Sequence, residues 1–231
     1  MRPIPLGLYA LTLLLTTSCQ SNTQKKNKDQ AVVEAVEATP KTTLAPEQLS
    51  QYEKAYFASG CFWCVEAIFE SVKGVKEVVS GYAGGEEENP TYEMVSYGQT
   101  THAEAVEVYY DPKTISFTAL VQVFFGSHDP TTLNRQGPDR GTQYRSIAFY
   151  QTEKEKQIIE GYMQALKDQN VYEGEPITTE VKPLDIFYKA EEYHQDYERK
   201  NPNNSYIRNV SIPRLNRFKQ NFQDYLKEES H

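Results

Sequence analysis

The hydrophobic pattern of this chain changes period at Gly60, and such changes recur along most of its length. Residues 54–59 are a short apolar run that reads as a buried strand. Beyond Gly60, Phe62, Val65, Ile68, Phe69 and Val72 recur at helical spacing until Gly74 stops the pattern. Residues 75–82 read as a second strand, closed by a turn at Gly84 and Gly85, and residues 104–110 alternate like a strand with one wet face. A helix is predicted over 116–126 with Ser116 as N-cap, then a polar loop over 129–141 holding Pro130, Gly137 and Pro138. Residues 145–150 form another strand pattern, and 152–169 a solvated amphipathic helix capped by Thr152. A strand over 181–188 and a helix over 190–200 follow. This alternation restricts the chain to a layered α/β or α+β domain.

The folded pattern starts only near residue 52. Met1 and Arg2 give a short positive start, followed by an apolar run from Ile4 to Leu15. That run is shorter than the ~20 residues needed to span a bilayer and fits the apolar stretch of a secretory signal. Thr16, Thr17 and Ser18 then lead to Cys19, which resembles the acylated cysteine of a bacterial lipoprotein, although Thr16 stands where such signals usually have Leu. A conventional signal cleaved nearby is the competing reading. From Gln20 to Gln51 there is no aromatic residue, and a stretch so polar cannot offset its ordering entropy by burial. The expected organisation is a signal over 1–18, a flexible tether over 19–51 and a catalytic domain over 52–231. The chain is then an exported lipoprotein facing the periplasm or cell exterior, touching the membrane only through a lipid on Cys19. With 24 Lys+Arg against 32 Asp+Glu, a net charge of −8 and no basic run, nucleic acid is excluded as the main partner.

Of three cysteines, Cys19 belongs to the targeting segment, which leaves Cys61 and Cys64 for chemistry. Cys61 falls at a strand-to-helix junction, where unpaired backbone N–H groups stabilise a thiolate. Cys64 lies about one helical turn further on and within reach of it. The spacing predicts a dithiol/disulfide redox pair. A zinc site would need four ligands, and His102, His128, His194 and His231 are scattered, so no metal is expected. A thioredoxin-like pair and a purely structural disulfide stay open on this motif alone, although so local a bridge stabilises little.

Gly60-Cys61-Phe62-Trp63 resembles the active-site signature of the A-type peptide methionine sulfoxide reductases. Further matches follow in order: Gly81-Tyr82-Ala83-Gly84-Gly85, Asn89-Pro90-Thr91-Tyr92, His102-Ala103-Glu104-Ala105-Val106, and Asn134-Arg135-Gln136-Gly137. Then come Asp139-Arg140-Gly141-Thr142-Gln143-Tyr144-Arg145-Ser146, Tyr193-His194-Gln195-Asp196-Tyr197 and Lys200-Asn201-Pro202. The likeness runs from about Lys54 to Pro202; each piece is weak and the ordered set is specific.

The resemblance implies an α+β fold: a two-layer sandwich with a ferredoxin-like core, added helices and a long coil C-terminal region. It also implies reduction of the S epimer of methionine sulfoxide, free or in proteins. Cys61 would be the nucleophile, Glu104 the acid, and Tyr92 and Tyr144 supporting donors. Phe62 and Trp63 would cage the substrate methyl group, with Asp139, His194 and Tyr197 around the site. The plainer alternatives are a solvated Glu104 like its neighbour Glu107, and core packing for Phe62 and Trp63.

Many members carry Gly where Cys64 stands and place resolving cysteines near the C-terminus; here Ser205 and Tyr206 occupy that region. Cys64 is therefore expected to resolve the oxidised Cys61. No bound cofactor is expected, and electrons would come from a thioredoxin-type dithiol, or from dithiothreitol in vitro. Thr101 stands where Gly is common before His102. The rival functions are a thioredoxin-like disulfide oxidoreductase and a non-catalytic lipoprotein module.

Overall fold

The computed structural model describes residues 44–228. The expected signal, Cys19 and most of the expected tether lie outside the described residues. The described end of that tether forms one short helical turn, Pro46–Leu49, with no buried residue.

The core is built from β1 (Glu53–Ser59), α1 (Phe62–Glu70), β2 (Val75–Ala83), β3 (Ala103–Tyr110), α2 (Phe117–Gly126) and β4 (Ser146–Tyr150). These strands lie in the order β4-β1-β3-β2 with every neighbour antiparallel, which is the ferredoxin-like arrangement. The expected α+β architecture is the one observed. A long helix α3 (Glu153–Asp168) follows β4, with Thr152 and Glu155 closing a capping box at its start. Ser116 caps α2 through the backbone N–H of Ala119.

Two edge strands complete the sheet. β5 (Glu180–Pro183) pairs parallel to β4, and β6 (Phe187–Lys189) pairs antiparallel to β2 at the opposite edge. The strand expected over 181–188 is thus split between the two edges. The four steps from Pro183 to Phe187 span at most about 14 Å. Six strands laid flat at about 4.8 Å spacing would separate those edges by about 24 Å. The sheet is therefore strongly curled, and the connection crosses its concave face, where Leu184 and Phe187 pack on Tyr56, Ala58, Ala105 and Phe149.

This cover overturns one expectation. β3 has no wet face: Glu104 is 2 % exposed and Glu107 8 %. Glu107 is not solvated; its Oε1 accepts the Tyr56 hydroxyl at 2.6 Å and the Lys54 ammonium at 2.8 Å. Alternation identified the strand correctly, but Glu107 lies on the face covered by the second packed layer, and Glu104, on the opposite face, meets the start of α1.

On the convex face, α1 and α2 bury the main core. Phe57 stacks on Phe69 and Phe124 at centroid distances of 5.1 and 5.0 Å. Burying such a ring contributes about 2–3 kcal/mol, and a well-placed aromatic pair about 1 kcal/mol more.

The helix expected over 190–200 is also replaced. A 3-10 turn (Glu192–His194) and a four-residue helix (Tyr197–Lys200) flank Asp196, whose φ is +54°. The cause is tertiary: the Gln195 amide exchanges two hydrogen bonds with the Ser80 backbone, and Glu66 accepts the Asp196 N–H at 2.8 Å. The C-terminal region is long and irregular up to Lys200, then turns helical through a π-type turn (Ile207–Ser211) into α4 (Ile212–Asn221). The polar loop over 129–141 carries a minimal hairpin that pairs Arg135–Gln136 with Asp139–Arg140.

Candidate active site

Gly60 makes the turn between β1 and α1 at φ +89°, and a Cβ there would lie 2.6 Å from the Gln136 Cβ. Only glycine suits both the conformation and the approach. The turn leaves Cys61 as N-cap of α1 and Cys64 in the first turn, with the Cys64 N–H donating to the Cys61 carbonyl at 3.1 Å. Both are buried free thiols.

The first N–H groups of a helix have no partner within it. That of Phe62 donates to Oε2 of Glu104 at 2.9 Å, which fastens a β3 carboxyl to the start of α1 beside Cys61. Burial pushes the Glu104 carboxyl up to about 8, with the charges of Asp139 and Cys64 adding and the Phe62 N–H opposing. At neutral pH it holds a proton.

Tyr82 lies opposite Glu104 across the β2–β3 pair, and its hydroxyl donates to Glu191 at 2.8 Å. The other oxygen of Glu191 accepts the Tyr92 N–H at 2.9 Å, so one carboxylate ties the Tyr92 turn to the sheet. Tyr92 and Tyr144 are half-buried. Burial, then the charges of Glu104 and Cys61, push the Tyr92 phenol up to about 12; the same causes raise Tyr144.

Phe62 is fully buried and packs within 6.4 Å of the rings of Trp63, Tyr82, Tyr92 and His194. Trp63 is half-buried, stacks on Tyr197 at 3.8 Å and donates its indole N–H to Nδ1 of His194 at 3.1 Å. Burial pushes His194 down to about 4, so its ring is neutral and Nδ1 is the acceptor. Its proton therefore sits on Nε2, a buried nitrogen with no hydrogen-bond partner among the described residues. The structure thus gathers Cys61, Cys64, Glu104, Phe62, Trp63, Tyr92, Tyr144, His194 and Tyr197 around one helix start. Asp139 joins on the Cys64 side, through Tyr206.

Carboxylate oxygens of Glu66, Glu70 and Asp196 lie within 4.8 Å of one another. Glu66 accepts the Ser80 hydroxyl and the Asp196 N–H, and burial pushes its carboxyl up to about 8.

The profile described as peptide methionine sulfoxide reductase matches residues 53–226. The chain belongs to the A-type peptide methionine sulfoxide reductase family. A relative in Rhodopirellula baltica, named as a peptide methionine sulfoxide reductase, is 49% identical over 175 residues, 76% of this chain and 90% of that one. One in Acinetobacter baumannii is 47% identical over 177 residues, covering 77% and 99% of the two chains. Among solved structures, reduced Mxr1 of Saccharomyces cerevisiae aligns with a TM-score of 0.60 at 37% identity, over 66% of this chain and 87% of that one. The methionine sulfoxide reductase A of Corynebacterium diphtheriae aligns with a TM-score of 0.59 at 40% identity, over 65% and 75% of the two chains. The protein is an oxidoreductase of this class.

In this methionine sulfoxide reductase the reading of the sequence missed two residues. The Tyr206 hydroxyl lies 3.8 Å from Cys64 Sγ and donates to Asp139 at 2.6 Å. Its place in the region where the resemblance led one to look for a resolving cysteine was the available signal. Arg214 is buried, with its guanidinium donating to the carbonyls of Ser127 and Ser59 at 2.9 and 3.0 Å; no motif marked it.

Burial and the hydrogen bond between the two thiols, with Arg214 beside Cys64, set the electrostatics of the pair. Burial, and the hydrogen bond it gives to Cys64, push the Cys61 thiol well up. That hydrogen bond, with Arg214, Ser211 and Tyr206, lowers Cys64 to about 6. The two thiols thus titrate as a coupled pair, with burial raising Cys61 and the Cys61 hydrogen bond lowering Cys64. Thr101 also has a role: its hydroxyl accepts the Glu86 N–H at 3.0 Å and donates to Glu87 at 2.9 Å, tying the turn after β2 to the segment that enters β3.

Proposed function

We propose that this chain reduces the S epimer of methionine sulfoxide, free or within proteins, with Cys61 as nucleophile and Cys64 as resolving partner. The observation that carries this reading is the buried Glu104 carboxyl bonded to the helix start that bears both thiols, where burial favours its protonated form. Negative charge develops on the sulfoxide oxygen as its sulfur is attacked, so a proton donor must stand there. Glu104 supplies it, with Tyr92 and Tyr144 as further donors. The Cys61 proton passes to the Cys64 thiolate as the Cys61 sulfur bonds to the sulfoxide sulfur. Trp63, packed on Tyr197, and Phe62 form the apolar wall for the methyl group, and the Nε2–H of His194 is free to hold a substrate oxygen.

Oxygen transfer releases methionine and leaves Cys61 as a sulfenic acid. Cys64 attacks that sulfur, the hydroxyl leaves as water, and the Cys61–Cys64 disulfide forms. A thioredoxin-type dithiol then returns two electrons by thiol exchange. The chemistry needs no bound cofactor. We place the enzyme outside the cytoplasm, anchored by a lipid on Cys19, where oxidised exported proteins are the substrates and a membrane-fed relay supplies the dithiol.

The test is methionine formation from each sulfoxide epimer with dithiothreitol, wild type beside Cys61→Ser. Turnover of the S epimer alone, abolished in the variant, is expected. Turnover of the R epimer, or disulfide reduction without methionine, overturns the reading.

A further inference from the structure

We propose that the reductant reaches the Cys61–Cys64 disulfide through its own cavity, which opens on Cys64, while substrate approaches Cys61 from the Glu104 side. Arg217 at the rim of this cavity would dock a thioredoxin-type donor that carries carboxylates around its thiol. The proposal rests on the thiol roles given above and adds the route and surface by which electrons enter.

A cavity of about 350 Å³ has Cys64 in its wall beside Pro138, Val210, Pro213, Arg214 and Arg217; Cys61 is not part of that wall. Its sides come from the Arg135–Arg140 hairpin and from the helical turns that lead into α4. Glu104, Tyr92 and Tyr144, which border Cys61, do not line it. Tyr206 stands between the two regions, bridging Cys64 and Asp139. Thiol exchange runs in line: the incoming sulfur must approach the attacked sulfur from the side opposite the leaving one. A cavity that reaches Cys64 without reaching Cys61 provides that approach to Cys64.

The donor thiolate bonds to Cys64 Sγ, the bond between Cys64 and Cys61 breaks, and its electron pair leaves on Cys61, which takes a proton. The donor's second thiolate then attacks the donor's own bridged sulfur and expels Cys64 as thiolate. Arg214, buried against Cys64 with only neutral oxygens as hydrogen-bond partners, stabilises that leaving charge. A leaving thiol of low pKa departs faster. Two electrons pass in all, from donor dithiol to enzyme disulfide.

The rim is chemically distinct from the rest of a chain whose net charge is −8. Exposed Arg217 stands at the opening, buried Arg214 lines the wall beneath it, and Asp139 is engaged by Tyr206. The remaining walls include Gly137, Pro138, Val210 and Pro213, which lose little side-chain entropy on contact. A basic rim around small apolar walls suits a thiol presented on an apolar surface with acidic edges.

The test uses the full chain, oxidised by one equivalent of methionine sulfoxide, and a bacterial thioredoxin whose second active-site cysteine is replaced by serine. The trapped mixed disulfide is expected on Cys64; an adduct on Cys61, or none with a thioredoxin whose intact form supports turnover, overturns the proposal. In parallel, Arg217→Glu should raise the KM for thioredoxin about tenfold, as loss and reversal of a docking charge does. Asn209→Trp, which fills the mouth from an exposed position, should do the same. Both should leave single-turnover methionine formation and dithiothreitol-driven turnover within about twofold of wild type. Unchanged KM in both variants, or equal slowing with both reductants, overturns it. Failure of the underlying reading shows separately, as no methionine in the wild-type single turnover.

Discussion

Oε2 of Glu104, on the central strand β3, accepts the backbone N–H of Phe62, the first residue of α1, at 2.9 Å. Residues 42 apart in sequence thus place an acid beside the sulfur that precedes that helix. The helix end gains a partner for one orphan donor, and the buried carboxyl gains an orientation.

Glu104→Gln keeps an acceptor for the Phe62 N–H but has no proton to give. Single-turnover methionine formation should slow by about 10²–10³-fold, with Tyr92 and Tyr144 limiting the loss and thermal stability little changed. An effect on the chemical step leaves affinity largely intact. A rate within a few-fold of wild type would assign the acid role elsewhere.

Cys61→Ser should form no methionine. Cys64→Ser should form one equivalent per enzyme and then stop with thioredoxin, because among the cysteines only Cys19 remains and it lies far off in sequence. Counting methionine per enzyme before and after addition of thioredoxin decides it. Sustained thioredoxin-linked turnover by Cys64→Ser would remove Cys64 from the resolving role.

The single-turnover rate should follow a bell in pH. The competent state needs one charge on the thiol pair, present above about 6, and a proton on Glu104, present below about 8. The rate should therefore fall on the acid side as Cys64 takes up a proton and on the alkaline side as Glu104 loses its own. In Glu104→Gln the alkaline limb should vanish. A wild-type rate still rising at high pH would contradict the assignment.

Glu66 gives a prediction on stability. Burial raises its carboxyl to about 8 in the folded chain. A carboxyl raised in this way contributes fully below its unfolded value, and the contribution is lost as pH rises toward the folded value. Glu66→Gln keeps the bonds to Ser80 and Asp196 without a charge to bury. The variant should be more stable than wild type at pH 8 by on the order of 2 kcal/mol, and nearly equal to it at pH 5. Denaturant unfolding at the two pH values measures the difference; a constant offset would show that the group does not titrate in this range.

Cys19→Ala should release the protein from the membrane fraction with activity per molecule intact. Fractionation and the mass of the mature N-terminus check this, and an unmodified cysteine there would end the lipid-anchor proposal.

Much of this protein was determined by local sequence. The switch of period at Gly60, the caps Ser116 and Thr152, and the ordered motifs depend on neighbours within a turn or a pleat, so strands, helices and family were readable from one dimension. The tertiary structure decided what local pattern does not encode. Glu107 alternates as a wet residue yet is buried, because a connection between two distant edge strands crosses the curled sheet above it. The helix pattern over 190–200 breaks at Asp196, because Gln195 is held to the backbone of β2. Tyr206 and Arg214 reach Cys64 from the far end of the chain and, after the hydrogen bond from Cys61, help to lower that thiol. Burial and charge act through space, and only the folded chain fixes which distant groups share it.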